Sequence, residues 1–173
     1  AKPAYRDPSY GNYAFAYAFA ADPLEGEPDP LEPSLYDQVQ DWIDNDYCTY
    51  TDMDDTLFIL DTSWADPLAL VMGYPGDPNV IIGGMLNSLL MNIGTLHGCG
   101  ARHLLVANMP PLGSSPMIQD PIEKFLATEM SKNYNAAVQD ILSIYSGLMD
   151  IKTLDVFEFF TEAIDEPLDF GFT

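Results

Sequence analysis

Apolar and polar positions divide this chain into two kinds of segment. Residues 56–60 (TLFIL) and 103–107 (HLLVA) are short continuous apolar runs, and residues 150–155 (DIKTLD) form a third strand candidate. Short runs without polar alternation are the pattern of strands buried on both faces. Longer segments with helical spacing lie between them. Leu35, Val39, Trp42 and Ile43 fall on one helical face. Ser34 precedes them as an N-cap, and Asp37 follows three residues on, as in a capping box. Pro78 opens a helix through Leu96 that Gly98 and Gly100 end, and Pro121 opens another to about Tyr145. A short helix over 156–164 is stopped by Pro167. Strands alternating with helices predict an α/β fold on a mainly parallel sheet, in a single domain over 1–173.

The first third of the chain reads differently. Residues 1–11 form an extended arm. Residues 12–20 (NYAFAYAFA) alternate aromatics with alanine, as a short strand or a helical turn would. Residues 22–33 (DPLEGEPDPLEP) are an acidic, proline-rich loop, because prolines at this spacing exclude both helix and sheet. Residues 52–55 are acidic too, but they lack the spacing and terminal glutamate of a calcium loop, so they read as a helix-to-strand turn.

Charge narrows the function. The chain has 27 acidic and 6 basic residues, a net charge of -21, in a composition that is 47% hydrophobic. The apolar content supports a packed core. The charge argues against a nucleic-acid partner, which requires cations to displace phosphate counterions, and against an anionic membrane surface. No apolar run is expected to reach the ~20 residues of a membrane span. The sequence starts at Ala1 without a basic segment leading into an apolar one, and the expectation is that any signal peptide has been removed. Cys48 and Cys99 are the only cysteines. They fit one disulfide in an oxidising compartment or two buried thiols. Acidity, few lysines and the processed start favour a secreted, extracellular protein.

In a parallel α/β sheet, ligands sit beyond the carboxyl ends of the strands. That directs attention to residues 61–66, 108–115 and the segment after Asp155. No Gly-x-Ser-x-Gly elbow is present. His97 lies near the end of the long helix and His103 starts a strand, so both fall at the amino end of the sheet and read as structural. Two separated histidines and two cysteines give no metal-ligand spacing, and no phosphate-cradling glycine loop precedes a helix. No metal and no cofactor is expected.

Several segments, in order, resemble the GDSL/SGNH esterase family in its secreted fungal branch. GCGARHLLVANMPPLGSSP (98–116) is similar to that family's Gly-Ala-Arg, apolar strand and Asn-x-Pro-Pro-Leu stretch. SLYDQVQDWI (34–43) resembles its Ser-Leu-x-x-Gln-Val helix, and Asn133-Tyr134-Asn135 its Tyr-Asn helix. Residues 159–173, with Pro167 and Gly171-Phe172, resemble its Asn-Pro-x-x-Tyr-Gly-Phe stretch. TLFILDTSWAD lies where the family has a strand and Gly-x-Asn-Asp, and NYAFAYAFA where it has Asn-Tyr-Ala-x-Gly-Gly-Ala. The resemblance implies a reduced SGNH-like three-layer sandwich that lacks the family's first strand and last helix.

The departures carry the functional expectation. The family's nucleophilic Ser lies in a Gly-Asp-Ser block ahead of Asn-Tyr-Ala, where this sequence has only residues 1–11. The oxyanion Gly falls near Ala16 or Tyr17. The third block's Gly falls at Ser63 and its oxyanion Asn at Ala65, leaving Asp66 as the one retained residue. The Asp-x-x-His base would follow Thr173. One oxyanion donor alone is worth ~10²–10³ in rate. The expectation is therefore a chain without acyl-transfer chemistry, an accessory subunit that binds and stabilises a larger secreted enzyme. A multicopper oxidase is the named candidate partner, in the manner of the small subunits that some fungal laccases carry, with copper held by that partner. Tyr5, Tyr10, Tyr13, Tyr17 and Trp64 are the expected interface aromatics, since aromatics are enriched at hot spots. Two other expectations compete. One is a small esterase completed by another chain or by a new site at Ser63, Asp66, Ser114 and Ser115. The other is a binding protein that uses the relic cleft.

Overall fold

A computed structural model describes residues 34–61, 65–71 and 77–172. The elements in chain order are α1 (Leu35–Asp44), α2 (Tyr47–Tyr50), β1 (Leu57–Asp61), α3 (Ala65–Val71), α4 (Pro78–Gly98), β2 (His103–Ala107), α5 (Pro121–Tyr145), β3 (Asp150–Leu154) and α6 (Val156–Asp165). Short 3-10 turns occupy Leu112–Ser114 and Pro167–Phe170. The protein is an α/β protein whose three strands are all parallel, in the order β1-β2-β3.

Local chemistry places the helix ends. Ser34 caps α1 through a capping box: its Oγ accepts from Asp37 N–H at 3.1 Å, and the Asp37 carboxylate accepts from Ser34 N–H at 2.9 Å. Asp120 caps α5 by accepting from Ile122 and Glu123 N–H, with Pro121 following where no N–H is needed. At the far end of α4, Gly100 adopts a φ of 103°. The N–H of Gly100 then reaches His97 O, and that of Ala101 reaches Leu96 O, which closes a Schellman motif. The reading from sequence ended α4 at Leu96, whereas the helix runs on to Gly98. Gly98 is helical, and only Gly100 uses its conformational freedom. Two short helices, α2 and α3, lie in stretches too brief for apolar periodicity to reveal.

The register aligns Phe58 with Leu104 and Ile151, and Leu60 with Val106 and Thr153. In-register residues of a parallel sheet point to one face. That face meets the helices. Leu60, Leu104 and Val106 are buried with Met85, Leu89, Ile93 and Leu96 of α4 and with Ala127, Tyr134, Val138 and Leu142 of α5. These α5 residues recur at the spacing of one helical stripe. Leu35 and Val39 of α1 join the same core, and α1, α3 and α5 all pack against α4.

The length expectation for membrane spans needs correcting. α4 has 21 residues and is apolar enough to cross a bilayer by length and composition. Here its Met85–Leu89–Ile93–Leu96 stripe is buried against the sheet, with Ser88 and Asn92 buried beside it.

The disulfide alternative is realised: Cys48 and Cys99 are bonded, with Cα atoms 5.2 Å apart, inside the range that a disulfide bridges without backbone movement. The bond ties α2 to the end of α4, where the chain turns into β2.

The opposite face of the sheet differs from the expectation of strands buried on both sides. It carries Leu57, Ile59, Asp61, His103, Leu105, Ala107, Asp150, Lys152 and Leu154, and none of them is buried. Leu57, Ile59 and Leu154 are 55%, 62% and 52% exposed. The expected arm (1–11), the strand-or-helix segment (12–20) and the acidic loop (22–33) lie outside the described residues.

Candidate functional site

The carboxyl end of the sheet is where the topology presents side chains to a ligand. Four groups lie at that end: Asp61 at the end of β1, Asp66 in the first turn of α3, the segment after β2, and Asp155 at the start of α6. Asp66 is 8% exposed and Asp61 is exposed. Ala65 is the first residue of α3. Ser63 and Trp64 lie outside the described residues, as do Tyr5, Tyr10, Tyr13 and Tyr17.

Asn108, immediately after β2, is 7% exposed, and its backbone N–H and both ends of its side-chain amide are engaged. Its backbone N–H donates to Leu154 O at 3.1 Å, which extends the β2–β3 ladder by one bond. Its Nδ2 donates to Asp155 Oδ1 at 2.9 Å, and its Oδ1 accepts from Phe157 N–H at 3.0 Å. The same Asp155 oxygen accepts from Glu158 N–H at 2.9 Å and so caps α6. Asn108 therefore fixes the direction in which α6 leaves the sheet.

The next residues are stitched to α5. Asn135 Oδ1 accepts from Met109 N–H at 2.8 Å, and its Nδ2 donates to Met109 O at 2.9 Å. Ser131 Oγ accepts from Leu112 N–H at 3.3 Å and donates to Ala127 O at 3.1 Å. These bonds supply partners for backbone groups in a turn where Pro110 and Pro111 prevent a regular ladder. The side chains are committed to holding the loop, a role the sequence reading did not assign to Asn108, Ser131 or Asn135. An Asn or Ser that bonds backbone groups 19 to 49 residues away leaves no local signal.

Ser114 is exposed on the 3-10 turn, and Ser115 Oγ accepts from Met117 N–H at 3.3 Å. Both lie past the carboxyl end of β2. The histidines are at the other end, as expected. His103 opens β2, with Nε2 2.9 Å from Asp54 O and Nδ1 3.7 Å from an Asp150 carboxylate oxygen. His97 packs its ring 6.0 Å from that of Tyr145. The length of β2, ~13 Å at a strand's rise per residue, separates His103 from the serine-bearing end. A general base must reach its nucleophile within hydrogen-bond distance, and these pairs do not. Among the described residues no group of three or more His, Cys, Asp or Glu side chains is placed to hold a metal ion.

One electrostatic cluster sits on the open sheet face. Asp150 is bonded to Lys152 Nζ at 3.1 Å and faces His103. Lys152, by hydrogen bond and by charge, and then His103 hold the Asp150 carboxyl below its ordinary value of 3.8.

A second feature lies after β3. α6 places Val156, Phe159, Phe160, Ala163 and Ile164 along one side and Glu158, Glu162 and Asp165 along the other. None of its residues is buried. Phe159, Phe160, Ile164, Pro167, Phe170 and Phe172 line a groove of about 460 Å³. The Phe159 ring meets those of Phe160 and Phe170 edge-on, at 5.5 and 5.6 Å between centroids. The sequence placed a helix over 156–164, but the exposure of its apolar side was not legible there.

The fold and these two surfaces define an α/β protein with a short parallel sheet, one covered face and one open face. No family model matches the chain, and no curated protein matches it in sequence.

Proposed function

We propose that this chain is a non-catalytic accessory subunit that binds and stabilises a larger secreted enzyme, with its open sheet face as the docking surface. The observation that carries this reading is the exposure of Leu57, Ile59 and Leu154 on an all-parallel sheet. All-parallel sheets occur almost only with both faces covered, because crossover connections lay helices over the sheet. Exposed contiguous apolar area of this kind marks an interface. At the carboxyl end of the sheet, Asn108, Ser131, Asn135 and Asp155 spend their hydrogen bonds on structure, which suits a scaffold better than a catalyst.

The finer architecture belongs to the same proposal: a reduced SGNH-like sandwich in which a partner supplies cover for the second sheet face. Ala65, where the resembling family has its oxyanion Asn, supports a chain that has left acyl transfer. The disulfide suits an oxidising compartment. The partner class is a larger secreted oxidase, of the multicopper kind, that holds its own copper.

The test is the mass of the native particle from its source, by size exclusion with light scattering, followed by denaturing electrophoresis. A particle much heavier than 19.1 kDa that releases a second, larger chain is the expected result. A monodisperse particle of 19.1 kDa overturns the reading. Hydrolysis of a chromogenic ester, abolished by a serine-reactive phosphonate, would overturn the non-catalytic part.

A further inference from the structure

We infer that the groove between α6 and the Pro167–Phe170 turn receives a basic amphipathic helix of the partner chain. This rests on the subunit reading above and adds the chemistry of what docks. The apolar side of an amphipathic helix is ordinarily its buried stripe. In α6 that stripe is open: Phe159, Phe160 and Ile164 are 52%, 45% and 52% exposed, and Phe172 beside them is 61% exposed. The groove offers almost no polar group to orient a small ligand, because its lining is aromatic and aliphatic. An apolar helix face laid into such a groove is a recurrent mode of recognition.

Charge selects the occupant. Residues 155–172 contain six carboxylates, on Asp155, Glu158, Glu162, Asp165, Glu166 and Asp169, and no lysine or arginine. All six of these residues are exposed. None of them lines the groove, and Glu158, Glu162 and Asp165 lie on the far side of α6, but the uniformly acidic segment and the chain's net charge of -21 attract a partner segment that carries cations and repel one that carries carboxylates. A second copy of this chain would bring the same acidic segment and a further net charge of -21. A partner helix with apolar residues on one side and lysine or arginine on the other meets both demands.

The probes are an 18-residue leucine/lysine amphipathic helix and its leucine/glutamate counterpart, titrated into the full chain at physiological salt. The lysine peptide is expected to bind saturably at one site, and the glutamate peptide not at all. The double variant Phe159→Ser with Ile164→Ser keeps the net charge and removes only half-exposed side chains, so circular dichroism should report an unchanged fold. Its affinity for the lysine peptide is expected to fall at least tenfold. Equal affinity in wild type and variant would show attraction by charge alone and would overturn the groove. A photo-reactive benzoylphenylalanine at Phe172 then identifies the occupant in the native particle. Cross-linking to a lysine- or arginine-bearing helix of the larger chain supports the inference. Cross-linking to residues 1–33 of the same chain, or to a second copy, overturns it. A heteromeric particle without a cross-link at Phe172 overturns the groove while leaving the subunit reading intact. A monomeric native particle overturns the subunit reading and with it the partner helix.

Discussion

The Cys48–Cys99 bond closes a loop of 51 residues in sequence separation, and its contribution to stability follows from that length. In the chain-entropy account, a loop of this size removes ~14 cal/mol/K from the unfolded ensemble, which is about 4 kcal/mol at 25 °C. The loop contains α3, α4, β1 and the end of α2, so the cross-link restrains nearly a third of the chain before it folds. The perturbation is the double variant Cys48→Ala with Cys99→Ala, which leaves no free thiol. Urea unfolding followed by circular dichroism should show a loss of about 4 kcal/mol against the oxidised wild type. Thermal unfolding should shift down by about 12 °C, at roughly 2–4 °C per kcal/mol for a domain of this size. Both cysteines are only half-buried, so lost packing should add little. Reduced wild type should match the variant. A loss below about 1 kcal/mol would refute the reasoning, because it would mean that the unfolded chain gains little freedom when the bond is removed.

Three other outcomes follow from the geometry. A Cβ added at Gly113 would overlap Lys124 O and Thr128 Oγ1 of α5; Gly113→Ala should therefore cost about 3 kcal/mol by overpacking, read as a lower urea midpoint. Asn135→Ala strands both backbone groups of Met109, which is 1% exposed; it should cost about 3 kcal/mol, with amide exchange at Met109 accelerated. The Asp150 carboxyl titrates below 3.8 in the folded chain, so what the pair adds to stability is present above the ordinary carboxylate range and is lost as pH falls through the lowered value. Carboxyl NMR should show that value rising toward 3.8 in Lys152→Ala, and an unchanged titration would show that Lys152 is not the cause.

What the sequence determined by itself was local. The starts of α1, α4 and α5 were legible because Ser34, Pro78 and Pro121 sit where helices leave N–H groups unpaired. The strand His103–Ala107 was legible because continuous apolar runs bounded by turns have few other uses, and the candidate at 150–155 proved to be the strand Asp150–Leu154. Strand–helix alternation was enough for the parallel sheet, since parallel neighbours require a crossover. The tertiary structure alone decided which side of each strand meets the helices. The run 57–61 alternates in burial although its residues barely alternate in polarity, because α4 and α5 lie together on one face. It also decided that Asn108 ties β2 to α6, that Asn135 holds Met109, and that Cys48 meets Cys99. Each of these joins residues 26 to 51 positions apart, and contacts at that separation are made by the packing of whole elements, which no neighbouring residue encodes.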